Sequence, residues 1–288
     1  MLKQKYFWLL IVILLVFWGG YRLHTEREPA APRDGQQEAV REQRELGGLV
    51  ERGDEIVDSE LKLKYFGHAA FLLEVGEARF LMDPYDPNCG YGKLEVDADY
   101  ITVSHEHMDH NYVAAAPGAK AIRGLSADGL GWEEVSLTLG GVEIFTLPVY
   151  HDDAAGKLRG RNAIFVFDTG DMRLVHLGDL GHLLSPEQLE RLMPVDVLLI
   201  PVGGHFTIAG PEAWEIIDAM QPALVVPMHY RTDATRNWPI APLEDFFKVM
   251  DGEVVQKQKD SNITISSDTL PQEMEIWIMK AALPGRNE

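Results

Sequence analysis

Ser104-His105-Glu106-His107-Met108-Asp109-His110 comes directly after Tyr100-Ile101-Thr102-Val103, a β-branched, apolar run that reads as a strand giving out into a loop. Three histidines and an aspartate within six residues serve no packing purpose. His105 and His107 stand two apart, so an extended segment or a tight loop can aim both imidazoles at one point. Asp109 and His110, just beyond, can reach a second point nearby. Neutral imidazole and carboxylate are the donors that Zn2+, Mn2+ and Fe2+ take up. The stretch therefore predicts a metal-binding loop at the carboxyl end of a strand.

Outward from this loop, short strands alternate with turns from residue 61 onward. Residues 61–66 alternate with a period of two, and strands over 70–75 and 78–82 are joined in hairpin style by Gly76-Glu77. Further strands are expected at 100–103, 135–139, 142–147, 163–168 and 172–177. Ser185-Pro186-Glu187-Gln188 offers a Ser N-cap, a first-turn Pro and an acid near the positive helix end, and opens a helix to residue 192. Residues 195–201 and 223–227 are continuous apolar runs, as in strands covered on both faces. Helices are expected at 211–220, with Trp214, Ile217 and Ala219 or Met220 inward, and at 242–250, with closing strands at 262–265 and 273–279. A β-first half followed by a βαβα half gives the α/β class, with sheets packed face to face and helices outside.

The chain has 288 residues, 46% of them hydrophobic and 25% charged, enough for a sizeable core. Its net charge of −19 repels phosphate backbones and argues against a nucleic-acid partner. A single cysteine, Cys89, rules out an internal disulfide and a cysteine-based metal site. Residues 6–21 are uncharged and mostly apolar, with Lys3 and Lys5 before them and Arg22 after. Sixteen residues fall short of the ~20 that span a bilayer core, but snorkelling basic residues and terminal aromatics make up the difference. Cleavage after Gly20 would put Trp18 at the −3 position, so an uncleaved anchor is expected over 1–22. The basic amino end places the remaining chain outside the cytoplasm. Residues 23–59, dense in acids and arginines with Pro29, Pro32 and Gly47-Gly48, read as a flexible tether. A folded domain is expected over 60–283 and a short tail over 284–288.

The remaining candidate ligands also fall where a strand gives out into a loop. His151 follows the strand-like Ile144-Phe145-Thr146-Leu147-Pro148-Val149-Tyr150, His229 follows Leu224-Val225-Val226-Pro227-Met228, and Asp179 follows Leu174-Val175-His176-Leu177-Gly178. Strand ends are where open α/β layers collect their sites. With the opening cluster, these residues resemble the His-x-His-x-Asp-His motif and the later His, Gly-Asp and His of the metallo-β-lactamase superfamily, over residues 61–265. The resemblance implies a four-layer αβ/βα sandwich with the site at one edge between the sheets. It implies one metal on His105, His107 and His151, a second on Asp109, His110 and His229, and Asp179 bridging them. Gly67-His68-Ala69-Ala70-Phe71, Leu81-Met82-Asp83-Pro84, Val202-Gly203-Gly204-His205-Phe206-Thr207 and Pro227-Met228-His229-Tyr230 resemble the lactonase-like branch, which includes ascorbate-phosphate lactonase-like proteins. The anchor is not usual in that branch, and antibiotic hydrolysis is not implied.

The chemistry so implied is hydrolysis of an ester, lactone or phosphodiester bond by a hydroxide shared between two divalent ions, zinc first and manganese or iron as alternatives. Asp109 is the candidate to orient the nucleophile and shuttle its proton. His205 is a candidate donor to a developing oxyanion, and His68 a candidate to line the same mouth. Asp83 is expected to brace the cluster by hydrogen bonds, His176 to be core, and Arg159, Arg161 and Asn162 to be solvated or to meet an anion. Expected partners are a small-molecule or lipid-like substrate and the membrane. A di-iron oxidoreductase of the same fold would carry Glu in place of His107 and a flavin module, both missing here. A non-catalytic scaffold would have lost ligands, yet all seven are present.

Overall fold

The period-two pattern at the start of the domain becomes strand β1 (Leu61–Gly67), whose Leu61, Leu63 and Tyr65 are buried while Lys62 is exposed. The strands that follow are β2 (Ala70–Val75), β3 (Ala78–Met82), β4 (Tyr100–Val103), β5 (Lys120–Arg123), β6 (Ser136–Leu139), β7 (Val142–Tyr150), β8 (Arg161–Asp168) and β9 (Arg173–His176). Helix α1 (Pro186–Leu192), β10 (Val197–Pro201), α2 (Gly210–Met220), β11 (Leu224–Met228), α3 (Leu243–Phe247), β12 (Val255–Lys259), β13 (Asn262–Ile265) and β14 (Glu275–Met279) complete the order. This computed structural model describes residues 60–250 and 254–282. The expected anchor (1–22), tether (23–59) and tail (284–288) lie outside the described residues, among which no helix is long and apolar enough to cross a membrane.

Two mixed sheets result, one ordered β13-β1-β2-β3-β4-β5 and the other β12-β14-β11-β10-β9-β8-β7-β6. They pack face to face over Phe71, Phe80, Phe165, Leu199 and Val226, among others. Alternation within single strands sorts the second sheet's two faces. Val197 and Leu199 of β10 point into the sandwich, whereas Leu198 and Ile200 meet the helices through Ile216, Ile217 and Phe246. Ser185 caps α1 as its sequence suggests, accepting from Gln188 N at 3.3 Å while Gln188 Oε1 accepts from Ser185 N at 2.9 Å. In α2 the buried residues include Ile217 and Met220, Trp214 is partly covered and Ala219 is exposed.

The layering differs from the expected four in one respect. Among the described residues the outer face of the first sheet carries no α-helix. It is covered by the two loops that flank β4, residues 83–99 and 104–119, with 3₁₀ turns at Pro87–Cys89 and Val113–Ala115 and with Tyr85, Tyr91 and Leu94 buried against Leu81 and Ile101. Pro84, Pro87, Gly90, Gly92, Pro117 and Gly118 interrupt any helical run there, so aromatic side chains cover the sheet instead.

Strand polarity positions the site. β1 and β3 run the same way, since each pairs antiparallel with β2, and β4 pairs parallel with β3. In the second sheet β9, β10 and β11 are mutually parallel, and β7 matches them because both β7 and β9 pair antiparallel with β8. All the loops that the sequence singles out therefore leave the carboxyl ends of parallel strands.

Candidate metal centre

His105, His107, Asp109 and His110 follow β4, His151 follows β7, Asp179 lies three residues beyond β9, and His229 follows β11. The two sheets are stitched together at this edge. His229 N donates to the His68 carbonyl at 2.9 Å, Ala163 N to the Ser104 carbonyl at 3.0 Å, and His176 Nε2 lies 3.0 Å from the Ala69 carbonyl. Close approach demands glycine at two points. A Cβ on Gly203 would lie 2.1 Å from the His229 carbonyl oxygen, and one on Gly178, at φ +55°, would lie 2.7 Å from Ser104 Cβ. Among the described residues six non-glycine residues have positive φ, and four of them, His68, Asp83, His205 and His229, follow strands that end at this edge.

Asp179 is central and 1% exposed. Its Oδ2 stands 3.2 Å from His151 Nε2, 3.3 Å from His229 Nε2 and 3.8 Å from His105 Nε2, while Oδ1 stands 3.1 Å from His110 Nε2. Two ligand groups flank it. His105, His107 and His151 present donor atoms within 4.8 Å of one another, and so do His68, Asp109, His110 and His229. His105, His110, His151 and His229 are buried, whereas His107 is exposed and Asp109 is part-exposed.

Hydrogen bonds behind the cluster fix which imidazole nitrogen faces it. Asp83 accepts from Ser104 N at 2.8 Å and from Ser104 Oγ at 2.5 Å, and its Oδ2 lies 2.9 Å from His110 Nδ1. His110 Nδ1 must then carry the hydrogen. Because the Ser104 hydroxyl donates to Asp83, it can only accept from His105 Nδ1, 2.9 Å away. With Nδ1 committed in both imidazoles, Nε2 is the atom each turns toward the cluster, the arrangement in which a carboxylate orients a metal-binding histidine. Apart from Arg161 Nε, every buried side-chain nitrogen or oxygen without a hydrogen-bond partner among the described residues belongs here, including His105 Nε2, His110 Nε2, His229 Nε2 and Asp179 Oδ1. Such atoms cost about 1–3 kcal/mol each when left unsatisfied, and a cation shared among them satisfies them together. The donor set, nitrogen and carboxylate oxygen without sulfur, fits a divalent metal.

The protonation states agree with that use. Burial, followed by the neighbouring His110, lowers His105 well below the usual histidine value, and burial with His151 lowers His107. Burial would raise Asp179, but the surrounding His110 and His229 outweigh it and hold the carboxyl well below its usual range. Asp109 is held low in the same way, against burial, by His110 and the His68 hydrogen bond. Burial resists a charge on His110, yet the Asp179 and Asp109 carboxylates prevail and raise it well above the ordinary value. The proton drawn there marks where positive charge is stabilised.

The other candidates fall into place around the cluster. His68 is fully buried, with Nε2 3.1 Å from Asp109 Oδ2 and its ring 4.1 Å from that of His229, and burial with His229 pushes it down to about 4. Its Nε2 belongs to the second group of donor atoms, and, being fully buried, it does not line the mouth of the cavity as the sequence suggests. His205 is exposed, packs edge-on against Phe206, and is not among the residues lining the cavity in front of the cluster. His182 Nε2 accepts from Tyr150 N at 3.1 Å, and His176 bridges the sheets. Asn162 Nδ2 donates to the Leu177 carbonyl at 2.9 Å and its Oδ1 accepts from Asp179 N at 3.1 Å, and Arg161 stacks over Trp132. Of the expected anion-binding residues only Arg159 lines the cavity, which has a volume of about 690 Å3. Ser104 and Asp152 are two residues of the site to which the strand-end pattern assigns no role. The Ser directly before the first histidine was a usable signal for Ser104, and the Asp-Asp-Ala-Ala-Gly turn was one for Asp152. Phe206 and Trp238, which also line the cavity, reach it through tertiary packing and left no local signal.

Comparison with known proteins agrees with this architecture. The family described as "Beta-lactamase superfamily domain" matches residues 62–229. The UPF0173 metal-dependent hydrolase of Thermococcus onnurineus is 32% identical over 214 residues, covering 66% of this chain and 92% of the relative. Its counterpart in Pyrococcus abyssi is 34% identical over 214 residues, with the same coverage of 66% and 92%. Among solved structures, a Thermotoga maritima protein described as a zinc-dependent hydrolase of the metallo-beta-lactamase superfamily is 32% identical with a TM-score of 0.57, covering 76% of this chain and 98% of that one. Igni18, a metallo hydrolase of Ignicoccus hospitalis, is 22% identical with a TM-score of 0.52, covers 72% of this chain and 99% of that one, and attests the fold alone.

Proposed function

Because the chain belongs to the beta-lactamase superfamily, we propose that it is a metal-dependent hydrolase that uses two divalent ions, zinc by preference, to cleave an ester, lactone or phosphodiester bond. The observation that carries the reading is Asp179, fully buried between two histidine groups, with His105 Nε2, His110 Nε2 and His229 Nε2 around it lacking hydrogen-bond partners. His105, His107 and His151 would hold one ion, and Asp109, His110 and His229 the other, with Asp179 between them. Two ions so held supply an acidified water near neutral pH and polarise the substrate oxygen.

The chain's own groups do the rest. His68 Nε2–H donates to Asp109 Oδ2, which fixes that carboxylate and leaves Oδ1 free of hydrogen bonds among the described residues. Asp109 Oδ1 is thus placed to take a proton as the water attacks. Trp238 and Phe206 give the cavity an apolar wall beside the cluster. The substrate in this reading is a small or lipid-like molecule, and residues 1–22 hold the enzyme at a membrane.

The test is metal content together with turnover. The purified chain is expected to bind two equivalents of zinc, and Asp179→Ala and His105→Ala to abolish hydrolysis of an ester or phosphodiester panel while the fold, read by circular dichroism, is kept. Less than one equivalent of bound metal, or unchanged turnover in either variant, refutes the proposal.

A further inference from the structure

The cavity in front of the cluster combines apolar walls with a single cation. Met108, Leu158, Phe206 and Trp238 line it together with Arg159, and so do the carboxylates of Asp109 and Asp179 in the cluster and of Glu106, which is paired with Arg123. Met108 and Leu158 are 54% and 70% exposed, a degree of exposure with no structural use for large apolar side chains beside a polar cluster. Arg159 is the unusual member. In a chain of net charge −19, with 45 acids against 26 bases, its guanidinium has no carboxylate partner among the described residues. Three of the eight described arginines have one, Arg79 with Asp97 and Asp99, Arg123 with Glu106, and Arg173 with Asp168, and of the unpaired ones Arg159 is the one that lines the cavity. Arg159 instead lies over the Phe206 ring, 5.7 Å from its centroid, which supports the stem and leaves the N–H donors open.

Its position is also prepared. Asp152, 2% exposed, accepts four backbone N–H groups of the loop after His151, those of Ala154, Gly156, Leu158 and Arg159, at 2.7–2.9 Å. One buried carboxylate thus folds the loop and presents Leu158 and Arg159 together at the cavity. A pre-positioned, unpaired guanidinium is a binding group for a carboxylate or phosphate, because its fork of donors matches their oxygens.

We propose that the cavity selects organic anions with an apolar body, Arg159 holding the carboxylate or phosphate while Leu158, Phe206 and Trp238 cover the rest. This names a substrate class for the hydrolase reading and rests on it, but the binding it asserts needs no metal and is tested without one. The full-length chain, stripped of metal by a chelator, is titrated calorimetrically with 2-naphthoate, 2-naphthyl phosphate and the neutral 2-naphthalenemethanol. Wild type is expected to bind at least one of the anions about tenfold or more tighter than the alcohol. Arg159→Gln is expected to bring that anion to the alcohol's affinity without changing the alcohol's, and Arg159→Lys to recover part of the difference. Phe206→Ala is expected to weaken all three. Carboxylate and phosphate preferences are separated by the two anionic arms. The proposal is overturned if neither anion binds tighter than the alcohol in wild type, or if the preference survives in a folded Arg159→Gln chain. Loss of metal-dependent turnover on neutral esters would count against the hydrolase reading alone and leave these titrations unaffected.

Discussion

Replacing Asp83 with Ala should weaken both metal positions at once, although Asp83 belongs to neither ligand group. Its carboxylate is 1% exposed and takes three hydrogen bonds, from Ser104 N, Ser104 Oγ and His110 Nδ1, at 2.8, 2.5 and 2.9 Å. In the alanine variant Ser104 N–H and His110 Nδ1–H lose their acceptor in a buried place, at about 1–3 kcal/mol each, so the metal-free chain should lose roughly 2–6 kcal/mol of stability. Losing a partner that orients a metal-binding histidine lowers affinity about 10–100-fold, or about 1.4–2.7 kcal/mol. Asp83 orients His110 directly and His105 through Ser104, so the loss should appear in both binding constants. Ser104→Ala cuts only the His105 arm and should weaken one ion while sparing the other. Competition against a chromophoric zinc chelator resolves the two constants, and urea unfolding of the metal-free chain gives the stability term. The reasoning fails if Asp83→Ala binds both ions as wild type does, or if Ser104→Ala weakens both equally.

Four further outcomes are expected. His68→Ala releases Asp109 Oδ2 and should lower affinity for the ion held with Asp109 several-fold more than for the other; equal losses in chelator competition would contradict this. Loading zinc at pH 6.5, the ordinary histidine value, should displace a proton from His110, whose pKa is raised, and little from His105 or His107, whose values are lowered; calorimetry in buffers of different ionisation enthalpy should show less proton release for His110→Asn, and equal release would refute the assignment. His176 is buried and lowered, so the unfolded chain takes up its proton first as pH falls below about 6.5 and stability is lost in that direction; His176→Leu should make the loss between pH 6.5 and 5 shallower in urea titrations of the metal-free chain, and an unchanged slope would count against it. Cys89 is 2% exposed and burial above all pushes its thiol up to about 12, so a thiol reagent at pH 8 should react only after denaturation; rapid labelling of the native chain would exclude this burial.

Ligand chemistry was legible in the sequence because it is local: a histidine or aspartate just past an apolar strand needs no knowledge of tertiary contacts to be noticed. His105, His151, Asp179 and His229 all announce themselves in that way. Two strands did not. β5 has four residues and lies at the edge of its sheet, and β12, Val-Gln-Lys-Gln-Lys, is exposed along nearly its whole length. Backbone pairing with β4 and β14 makes them strands, and pairing leaves no apolar signature. His205 shows the converse. Its glycine-flanked loop suggested a place at the mouth, but the side chain is exposed beside Phe206, and Phe206 lines the cavity instead. Which member of a loop faces a site depends on backbone conformation at each residue, here φ +58° at His205, and composition does not encode it.

Whether the ions would be structural or chemical follows from what anchors their ligands. In a structural zinc site the metal supplies folding free energy that the chain lacks. Here the ligands are fixed by other means. His105 and His110 are tied through Ser104 and Asp83, the His229 backbone is bonded to the His68 carbonyl, and Asp179 N is bonded to Asn162. The sandwich has its own continuous core between the sheets and a second under the helices. A scaffold built this way holds its polar, unsatisfied cluster at the edge by the strength of everything around it, as strained sites are held. An ion bound there would relieve the unsatisfied atoms of the site and stabilise the folded chain by that amount, without being what holds the fold together. The cavity opens onto that same cluster, with His107 and Asp109 accessible from it. Closed structural sites keep no such opening, so the arrangement is that of a centre built to meet a substrate.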